Sequence, residues 1–272
     1  MTQEAKHPVR TSEKTLRIVE ALKDVDGAHV TELASTLGMN KSMVHNHLST
    51  LESNGYVVKD GTTYRLGLKF LDLGGYTRSR MKLFRIAKPQ VKRMADQTGE
   101  LANLMTVENG LGVYLYRSKG EQAVDLDTYP GKRTHLHYTA QGKAILAHMP
   151  EAHVRSIIDQ RGLPEATPNT ITDPDTLFEQ LEEIRERGFA THEEERLQGL
   201  RSVAAPIHPD SDSICGSISI SAPANRIAGD PSGSEIHDIV TSTANAIELN
   251  IKHSSGDEGF ECKTYDDASS AN

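Results

Sequence analysis

The chain has 272 residues, 36% of them hydrophobic and 25% charged, which is the composition of a soluble globular protein with room for two domains. No apolar run approaches the roughly 20 residues that cross a bilayer, and the N-terminus lacks the apolar core of a secretory signal. Only Cys215 and Cys262 are cysteines, and the second lies in a polar tail. This usage argues against a disulfide scaffold and predicts a reducing, cytoplasmic setting.

The net charge of −8 is unevenly distributed along the chain. Residues 1–78 contain 10 basic and 9 acidic residues, whereas residues 255–272 contain 1 and 5. Residues 78–93 hold seven basic side chains and no acidic one. Such a patch can bind phosphate whatever the total charge. It is equally typical of a solvated helix face.

Two helices are predicted near the N-terminus. The first covers about Ser12–Asp24, because Leu16, Val19 and Leu22 recur at helical spacing. The second runs over Thr31–Gly38, with the threonine as its N-cap and the glycine as its end.

A third helix and a hairpin follow. The helix is capped by Asn40, and its apolar residues Val44, Leu48 and Leu51 repeat at i, i+4 and i+7 before Gly55 ends it. Strand-like residues on both sides of Asp60-Gly61 predict a β-hairpin. Three helices and a hairpin in this order indicate a winged helix-turn-helix, which we place at residues 10–74.

The third helix has the surface expected of a DNA-reading helix. Its outward face is short, polar and largely uncharged, whereas an ordinary solvated face usually carries Glu and Lys. Short side chains can meet base edges at small entropic cost, and this helix immediately precedes the wing. His45 and His47 are two residues apart and point about 200° away from each other, so they cannot share a metal ion on a helix. DNA contacts are predicted for Lys41, Ser42, Met43, His45, Asn46, Ser49 and Thr50, with Lys59 and Arg65 added from the hairpin unless that segment is simply a polar turn.

The rest of the chain predicts an α+β domain. A linker helix is expected at residues 75–98, leading into a domain at 79–254, and the polar, acidic residues 255–272 are expected to be disordered. Consecutive strands with short turns favour an antiparallel sheet flanked by helices. Strands are predicted at Glu100–Val107, Gly112–Ser118, Ala123–Tyr129, Arg201–Ile207 and Ile214–Ser221, and helices at Ala140–His148, Glu151–Asp159, Pro174–Arg187 and Ser234–Lys252.

The last predicted strand separates small polar from apolar residues. Alternation puts Cys215, Ser217, Ser219 and Ser221 on one face, and Ile214, Ile218 and Ile220 on the other. The polar face offers space and hydroxyl groups to a ligand. The alternative is a sheet face open to water.

From about residue 12 to residue 252 the chain resembles the IclR family of transcription regulators. The stretches that carry the resemblance are "TELASTLGMNKSMVHNHLSTLESNGYV", "YRLGLKFLDLG", "HLHYTAQGKAILAHMP", "TPNTITDP" and "GLRSVAAPI" followed by "GSISISAP". The resemblance implies a homodimer or tetramer that binds palindromic double-stranded operator DNA. It also implies a GAF- or PAS-related C-terminal domain that binds a small metabolite and controls a catabolic operon.

The resemblance also implies where the effector binds. The family offers backbone N–H groups from the start of a helix, here Ala140 and Gln141, and such a helix start favours anions. His192 stands where many members have an acid and would be able to carry a proton near neutral pH. The remaining implied residues are Leu200, Ser202, Ser219 and Ser221. We expect a sugar or sugar-derived acid as effector, and no cofactor.

The histidines and the second domain allow two other classes of function, a metal site and a catalytic domain. A metal-responsive regulator or metal-dependent enzyme would use His135, His137, His192 and His208, of which the first two share one side of a strand. A catalytic second domain lacks support, since the chain has no G-x-S-x-G, no plausible Cys–His pair and no phosphate loop.

Overall fold

The structure, a computed structural model, describes residues 7–210, 213–227, 229, 232–254 and 262–264. The chain divides into two compact units, Met1–Thr77 and Arg78–Asn272. Together they give the expected α+β architecture, a helix-turn-helix unit followed by an antiparallel sheet with helices.

The first unit is a winged helix-turn-helix with a small core of its own. Ile18, Leu22, Leu33, Val44 and Leu48 are buried in that core. Its elements are α1 (Arg10–Asp24), α2 (Val30–Leu37), α3 (Lys41–Ser53), β1 (Val57–Asp60), β2 (Thr63–Leu66) and most of α4 (Lys69–Ser79).

The turn before α3 and the hairpin after it follow local sequence rules. The Asn40 side chain accepts a hydrogen bond from the Met43 N–H at 2.7 Å, which confirms the predicted cap of α3. Asp60 pairs with Thr63 across the hairpin, and Gly61 adopts a φ of +58° in the two-residue turn. The start of α3 and the turn of the wing are thus set by residues that lie within three positions of each other.

Two details of the first unit differ from the sequence prediction. Helix α2 starts after His29, whose N–H donates to Glu32 Oε2 at 2.8 Å, so Thr31 is not its cap. Leu16 is 62% exposed, and Ile18 faces the core beside Leu22. Helical spacing alone does not decide between two neighbouring apolar stripes.

The predicted linker helix is two helices in the structure. Helix α4 ends at Ser79, and α5 (Lys82–Thr98) begins after Met81, whose backbone is extended with φ −74° and ψ 120°. Helix α5 buries Leu83 and Phe84 in the core of the second unit, whereas α4 has no buried residue. The direction of α5 is therefore determined by tertiary packing, for which the local sequence has no signal.

The second unit is built on a six-stranded antiparallel sheet in the order β5-β4-β3-β9-β7-β6. Helices α5 and α9 supply the apolar core on one face of the sheet, and α6, α7 and α8 supply it on the other. The elements are β3 (Leu101–Glu108), β4 (Leu111–Lys119), β5 (Arg133–Thr134), α6 (Ala140–Leu146), α7 (Glu151–Arg161), α8 (Pro174–Arg187), β6 (Ala190–Glu193), β7 (Leu200–Ile207), β8 (Ser213–Ile214), β9 (Gly216–Pro223), α9 (Glu235–His253) and β10 (Lys263–Thr264).

The strand predicted at Ala123–Tyr129 is wrong, and β6 was not predicted. The segment does not join the sheet ladder and is held by side chains. The Arg117 guanidinium donates to the carbonyl oxygens of Leu126 and Thr128, and Lys119 and Lys132 bind Asp125 and Asp127. Strand β6 has only four residues, which is too short for a clear alternation signal.

The two cysteines form a disulfide, contrary to the expectation from their number and position. It joins the end of β8 to residue 262, and β10 pairs with β8. Residues 262–264 are therefore structured, while the rest of the predicted disordered tail lies outside the described residues. Cys215 also packs with Ile218 and Ile220 rather than with the serines, because the break at Gly216 changes the alternation between β8 and β9.

Helix α6 approaches the preceding turn closely at Gly142. A Cβ on this residue would lie 2.1 Å from the carbonyl oxygen of Leu136 and 2.4 Å from its Cα. The Gly142 N–H also donates to the Thr139 hydroxyl at 3.0 Å. No side chain fits this space unless the backbone shifts.

We expect Gly142→Ala to lower the free energy of unfolding by about 1 to 3 kcal/mol, because it forces backbone out of a packed position. Urea unfolding followed by circular dichroism measures the change. The control is Gly74→Ala inside α4, where a Cβ meets nothing within 4 Å and stability should stay the same or rise by up to about 1 kcal/mol. Equal effects of the two substitutions would contradict the close approach.

Candidate functional site: an exposed reading helix and a buried polar cavity

The outward face of α3 is exposed to solvent. Lys41 is the charged residue in its first turns, and Glu52 adds a carboxylate in the last turn. Val44, Leu48 and Leu51 are buried, while the predicted reading residues are exposed except for the half-buried Met43. His47 is also half-buried, and its Nδ1 lies 2.8 Å from the Thr15 hydroxyl of α1. The exposed residues of this face are Lys41, Ser42, His45, Asn46, Ser49 and Thr50.

The wing lies beside one end of this face. His45, Lys59 and Thr62 line a shallow open groove together with the first residues of α2. Lys59 also sits over the Tyr64 ring, 5.2 Å from its centroid. Arg65 does not line the groove and pairs with Asp60 at 3.8 Å. The structure therefore brings Lys59, but not Arg65, to the groove that His45 lines.

All seven predicted effector residues line one cavity in the second unit. Ala140 and Gln141 open α6, His192 lies on β6, Leu200 and Ser202 lie on β7, and Ser219 and Ser221 lie on β9. The serine face of β9 is not open to water, since it is buried beneath α6. The cavity measures about 20 Å³, close to the space that a single water molecule needs.

Hydrogen bonds organise the floor of this cavity. The Ser202 and Ser221 hydroxyls are 2.8 Å apart. The Gln141 side chain donates to the Ser217 carbonyl oxygen at 3.0 Å, and the Ser217 hydroxyl donates to the Gln141 carbonyl oxygen at 3.0 Å. Gln141 thus binds the start of α6 to β9 through its side chain. It stabilises the wall of the cavity in addition to lining it.

His192 is a neutral hydrogen-bonding group in the folded protein. Burial, and next the charge of Lys143, lower its pKa to about 3. Its Nε2 accepts the Arg196 N–H at 2.7 Å, which leaves the ring proton on Nδ1. The expectation that His192 exchanges a proton near neutral pH is wrong, because desolvation outweighs the intrinsic basicity of the imidazole.

A buried ion pair fixes the segment that carries His192 and Arg196. Lys143 of α6 is 0% exposed, and its Nζ lies 2.5 Å from Oε1 of Glu195. Burial lowers the lysine pKa and the glutamate raises it. Oε1 of Glu195 also lies 3.4 Å from the Glu193 N–H, so this carboxylate holds both α6 and the turn after β6.

The cavity is lined by five further residues that sequence reasoning did not assign to the effector site. Asn103, Tyr114 and Arg196 line it, as do Leu126 and Thr139. Asn103 Oδ1 and His192 Nδ1 are buried atoms without a hydrogen-bond partner in the described part of the structure. A lone amide inside the apolar strand "LANLM" was the available signal for Asn103. Nothing in the local sequence singled out Tyr114 or Arg196.

The histidines of the metal hypothesis do not assemble into one site. His135 and His137 have ring centroids 5.8 Å apart, but His137 Nε2 lies 3.1 Å from the Pro164 carbonyl oxygen. His192 belongs to the polar cavity, and His208 stacks on His148 with centroids 4.4 Å apart. Within the described ranges, no group of three or more His, Cys, Asp or Glu residues is placed to hold a metal ion.

The comparisons with known proteins agree with this arrangement. Residues 76–249 match the model of the bacterial transcriptional regulator IclR C-terminal domain, and residues 11–61 match that of the IclR helix-turn-helix domain. The chain belongs to the IclR family. It is a DNA-binding transcription regulator with a C-terminal effector domain.

Individual proteins of the IclR family are similar to this chain along most of their length. The probable HTH-type transcriptional regulator ArcR of Halobacterium salinarum is 32% identical, covering 87% of this chain and 92% of that protein. The HTH-type transcriptional regulator BhcR of Paracoccus denitrificans is 31% identical, covering 89% of this chain and 88% of that protein. The crystal structure of Thermotoga maritima IclR superposes with a TM-score of 0.73 at 29% identity, covering 90% of this chain and 99% of that one.

These IclR relatives are transcription regulators and not enzymes, which agrees with the lack of a catalytic motif. In the part of the chain that the structure describes, no helix has the length and apolar character needed to cross a membrane.

The buried histidines of this IclR protein should make its stability depend on pH. His192 has a pKa lowered from 6.5 to about 3, so the unfolded chain binds its proton at a higher pH than the folded protein does. Stability is then complete above pH 6.5 and is lost as the pH falls toward 3. His137 and His148, each lowered to about 4 mainly by burial, act in the same direction.

The free energy of unfolding should fall between pH 7 and pH 5 in both proteins, but by about 2 kcal/mol less in His192→Gln than in the wild type. The variant lacks the imidazole that is protonated in the unfolded chain and unprotonated in the folded protein. Urea unfolding at both values measures the difference. The control is His45→Gln, which alters an exposed histidine. Its free energy of unfolding should fall between the two pH values by the same amount as that of the wild type. Identical pH dependence of His192→Gln and wild type would show that His192 takes up its proton while folded.

Proposed function

We propose that this regulator controls genes for the breakdown of a sugar or an organic acid, and that a small metabolite in the second unit sets its affinity for operator DNA. The observation that carries the proposal is the cavity, in which all seven effector residues meet around unpaired buried polar atoms. An unpaired buried donor or acceptor is costly, so the cavity is suited to a ligand that satisfies it.

The chemistry of the cavity favours a ligand rich in hydroxyl groups. His192 Nδ1 offers a proton, Asn103 Oδ1 accepts one, and the serine hydroxyls do both. Ala140 and Gln141 are the first residues of α6, and the first N–H groups of a helix have no intrahelical acceptor. A polyhydroxylated metabolite matches these groups better than an apolar aromatic one.

Binding such a ligand requires the cavity to open. A space of about 20 Å³ holds one water molecule, so the residues that cover it must move before a metabolite enters. Leu126 belongs to this cover and sits on an irregular segment that Arg117 holds. A site that changes shape on binding can bias two protein states, which regulation by an effector requires.

On the DNA side, the face of α3 reads base edges in the major groove and the wing contacts the backbone or the minor groove. Lys59 lies on β1 and Arg65 on β2, and their side chains leave opposite faces of the hairpin. They therefore contact different parts of the DNA backbone. We propose that the protein works as a homodimer or tetramer in the cytoplasm and binds palindromic double-stranded operator DNA. Effector binding then changes operator affinity through a coupling free energy of roughly 1–3 kcal/mol.

The first test of the proposal is to map the binding sites in cells and compare neighbouring gene expression with and without the regulator gene. Discrete palindromic sites beside catabolic genes are expected. Sites without a shared sequence, or beside genes of unrelated function, would contradict the proposed role. The mapped sites also supply the operator and the pathway metabolites for the following measurements.

Asn46→Ala should weaken operator binding by about 10- to 100-fold and leave non-specific DNA binding nearly unchanged, because the amide reads a base edge. Lys41→Ala should weaken both kinds of binding and lower the slope of log K against log salt by about 1. Fluorescence anisotropy at several salt concentrations measures both. Lys23→Ala, an exposed lysine in the last turn of α1, is the control and should change neither.

Ser219→Ala should reduce the effect of the pathway metabolites on operator affinity by about tenfold, because a buried hydroxyl partner of the ligand is lost. The matched control is Ser242→Ala on the exposed side of α9, where the hydroxyl only bonds back to its own helix. Anisotropy titrations with and without each metabolite compare the two variants. Equal responses would place the effector outside the cavity.

A further inference from the structure

Arg196 occupies the outer edge of the effector cavity. Asn103, His192 and Ser219 are almost completely buried in it, whereas Arg196 is half-buried and faces both the cavity and the solvent. Its Nη1 donates to the Tyr114 hydroxyl at 2.6 Å. Among the described residues its guanidinium makes no ion pair and no other side-chain hydrogen bond. Most of its five donors therefore remain available.

No carboxylate lines the cavity to oppose this charge. Arg196 is the single charged residue among the described lining residues, and His192 is neutral. Nearby carboxylates have partners of their own. Glu195 pairs with Lys143, Glu193 pairs with Arg201, Glu194 accepts the Gly199 N–H, and Asp127 pairs with Lys132.

We propose that the effector carries a carboxylate and that Arg196 is the residue that selects it, an inference that rests on the proposed effector role of this cavity. The ligand class is a small hydroxy acid, with its hydroxyl groups toward the serines and His192 and its carboxylate toward the edge. Arg196 exchanges the neutral Tyr114 hydroxyl for the carboxylate, and a guanidinium can bind both carboxylate oxygens at once.

Desolvation of the arginine discriminates against neutral ligands. When a ligand fills the cavity, the guanidinium loses water on that side. A neutral sugar leaves it with the hydrogen bond to Tyr114 and the attraction of Asp127, an exposed carboxylate outside the cavity that pairs with Lys132. A charge that loses water without a close counter-charge is costly. A carboxylate compensates the charge at the same position. The preference therefore arises at Arg196 and not at the neutral floor of the cavity.

The experiment compares acids with the neutral polyols of the same carbon chain. The probes are glycerate against glycerol, erythronate against erythritol, and gluconate against sorbitol, titrated by calorimetry into the full-length protein. At least one acid should bind about 10- to 100-fold more tightly than its polyol. In Arg196→Gln this preference should disappear while the affinity for the polyol stays or rises, because the cost of desolvating the guanidinium is removed. Arg196→Lys should retain part of the preference.

The matched control is Arg201→Gln, because Arg201 lies five residues further along the chain in β7, is also half-buried, and does not line the cavity. It should keep the full preference for acids. Thermal unfolding without ligand shows that each variant is folded, and Arg196→Lys serves if the glutamine variant is not.

The outcomes separate this inference from the effector role itself. A preference for acids that survives in Arg196→Gln overturns the assignment of Arg196. Polyols that bind as tightly as their acids, with binding lost in Ser219→Ala, overturn the carboxylate while the effector site stands. Absence of binding by every probe contradicts the small hydroxy acid, and the response of operator binding to the pathway metabolites then decides whether the effector site itself stands.

Discussion

The buried ion pair between Lys143 and Glu195 is the constraint on which the second unit depends. A fully buried lysine charge needs a close counter-charge, and breaking such a pair costs about 3–5 kcal/mol because the remaining charge is uncompensated. The pair joins the helix that opens with Ala140 to the turn that follows β6. That turn carries Arg196 and follows directly on the strand end that carries His192, so one interaction holds two walls of the cavity at a defined separation.

The same ion pair contributes to an uneven distribution of charge in the cavity. Lys143 forms an ion pair with Glu195, and burial, assisted by the lysine charge, keeps His192 unprotonated, so the floor of the cavity is polar without a net charge. The remaining positive charge lies at the edge, on Arg196. For the effector that we propose, this asymmetry favours an orientation with the hydroxyl groups inside the cavity and the carboxylate at its edge. The first unit needs no comparable device, because its reading face is exposed and its core is small and apolar.

Elements stabilised by local rules were predictable, and elements stabilised by distant contacts were not. Asn40 caps α3, and Asp173 at the N-cap and Gly188 at the C-cap bound α8 at the predicted residues, because each signal acts within a few residues. The segment before Tyr129 was predicted as a strand but is held by Arg117, a side chain from another strand. Likewise, the break at Met81 follows from the packing of α5 on the sheet.

The sequence by itself determined most of the element order, the exposed polar face of α3 and seven residues of the cavity, partly through periodicity and partly through family resemblance. Only the tertiary structure decided that these seven residues meet, that Asn103, Tyr114 and Arg196 join them, and that the histidine among them is neutral. It also paired Cys215 with Cys262, against the expectation from composition. The physical reason is that periodicity and capping are local properties, whereas burial, charge pairing and cavity shape depend on residues far apart in the chain.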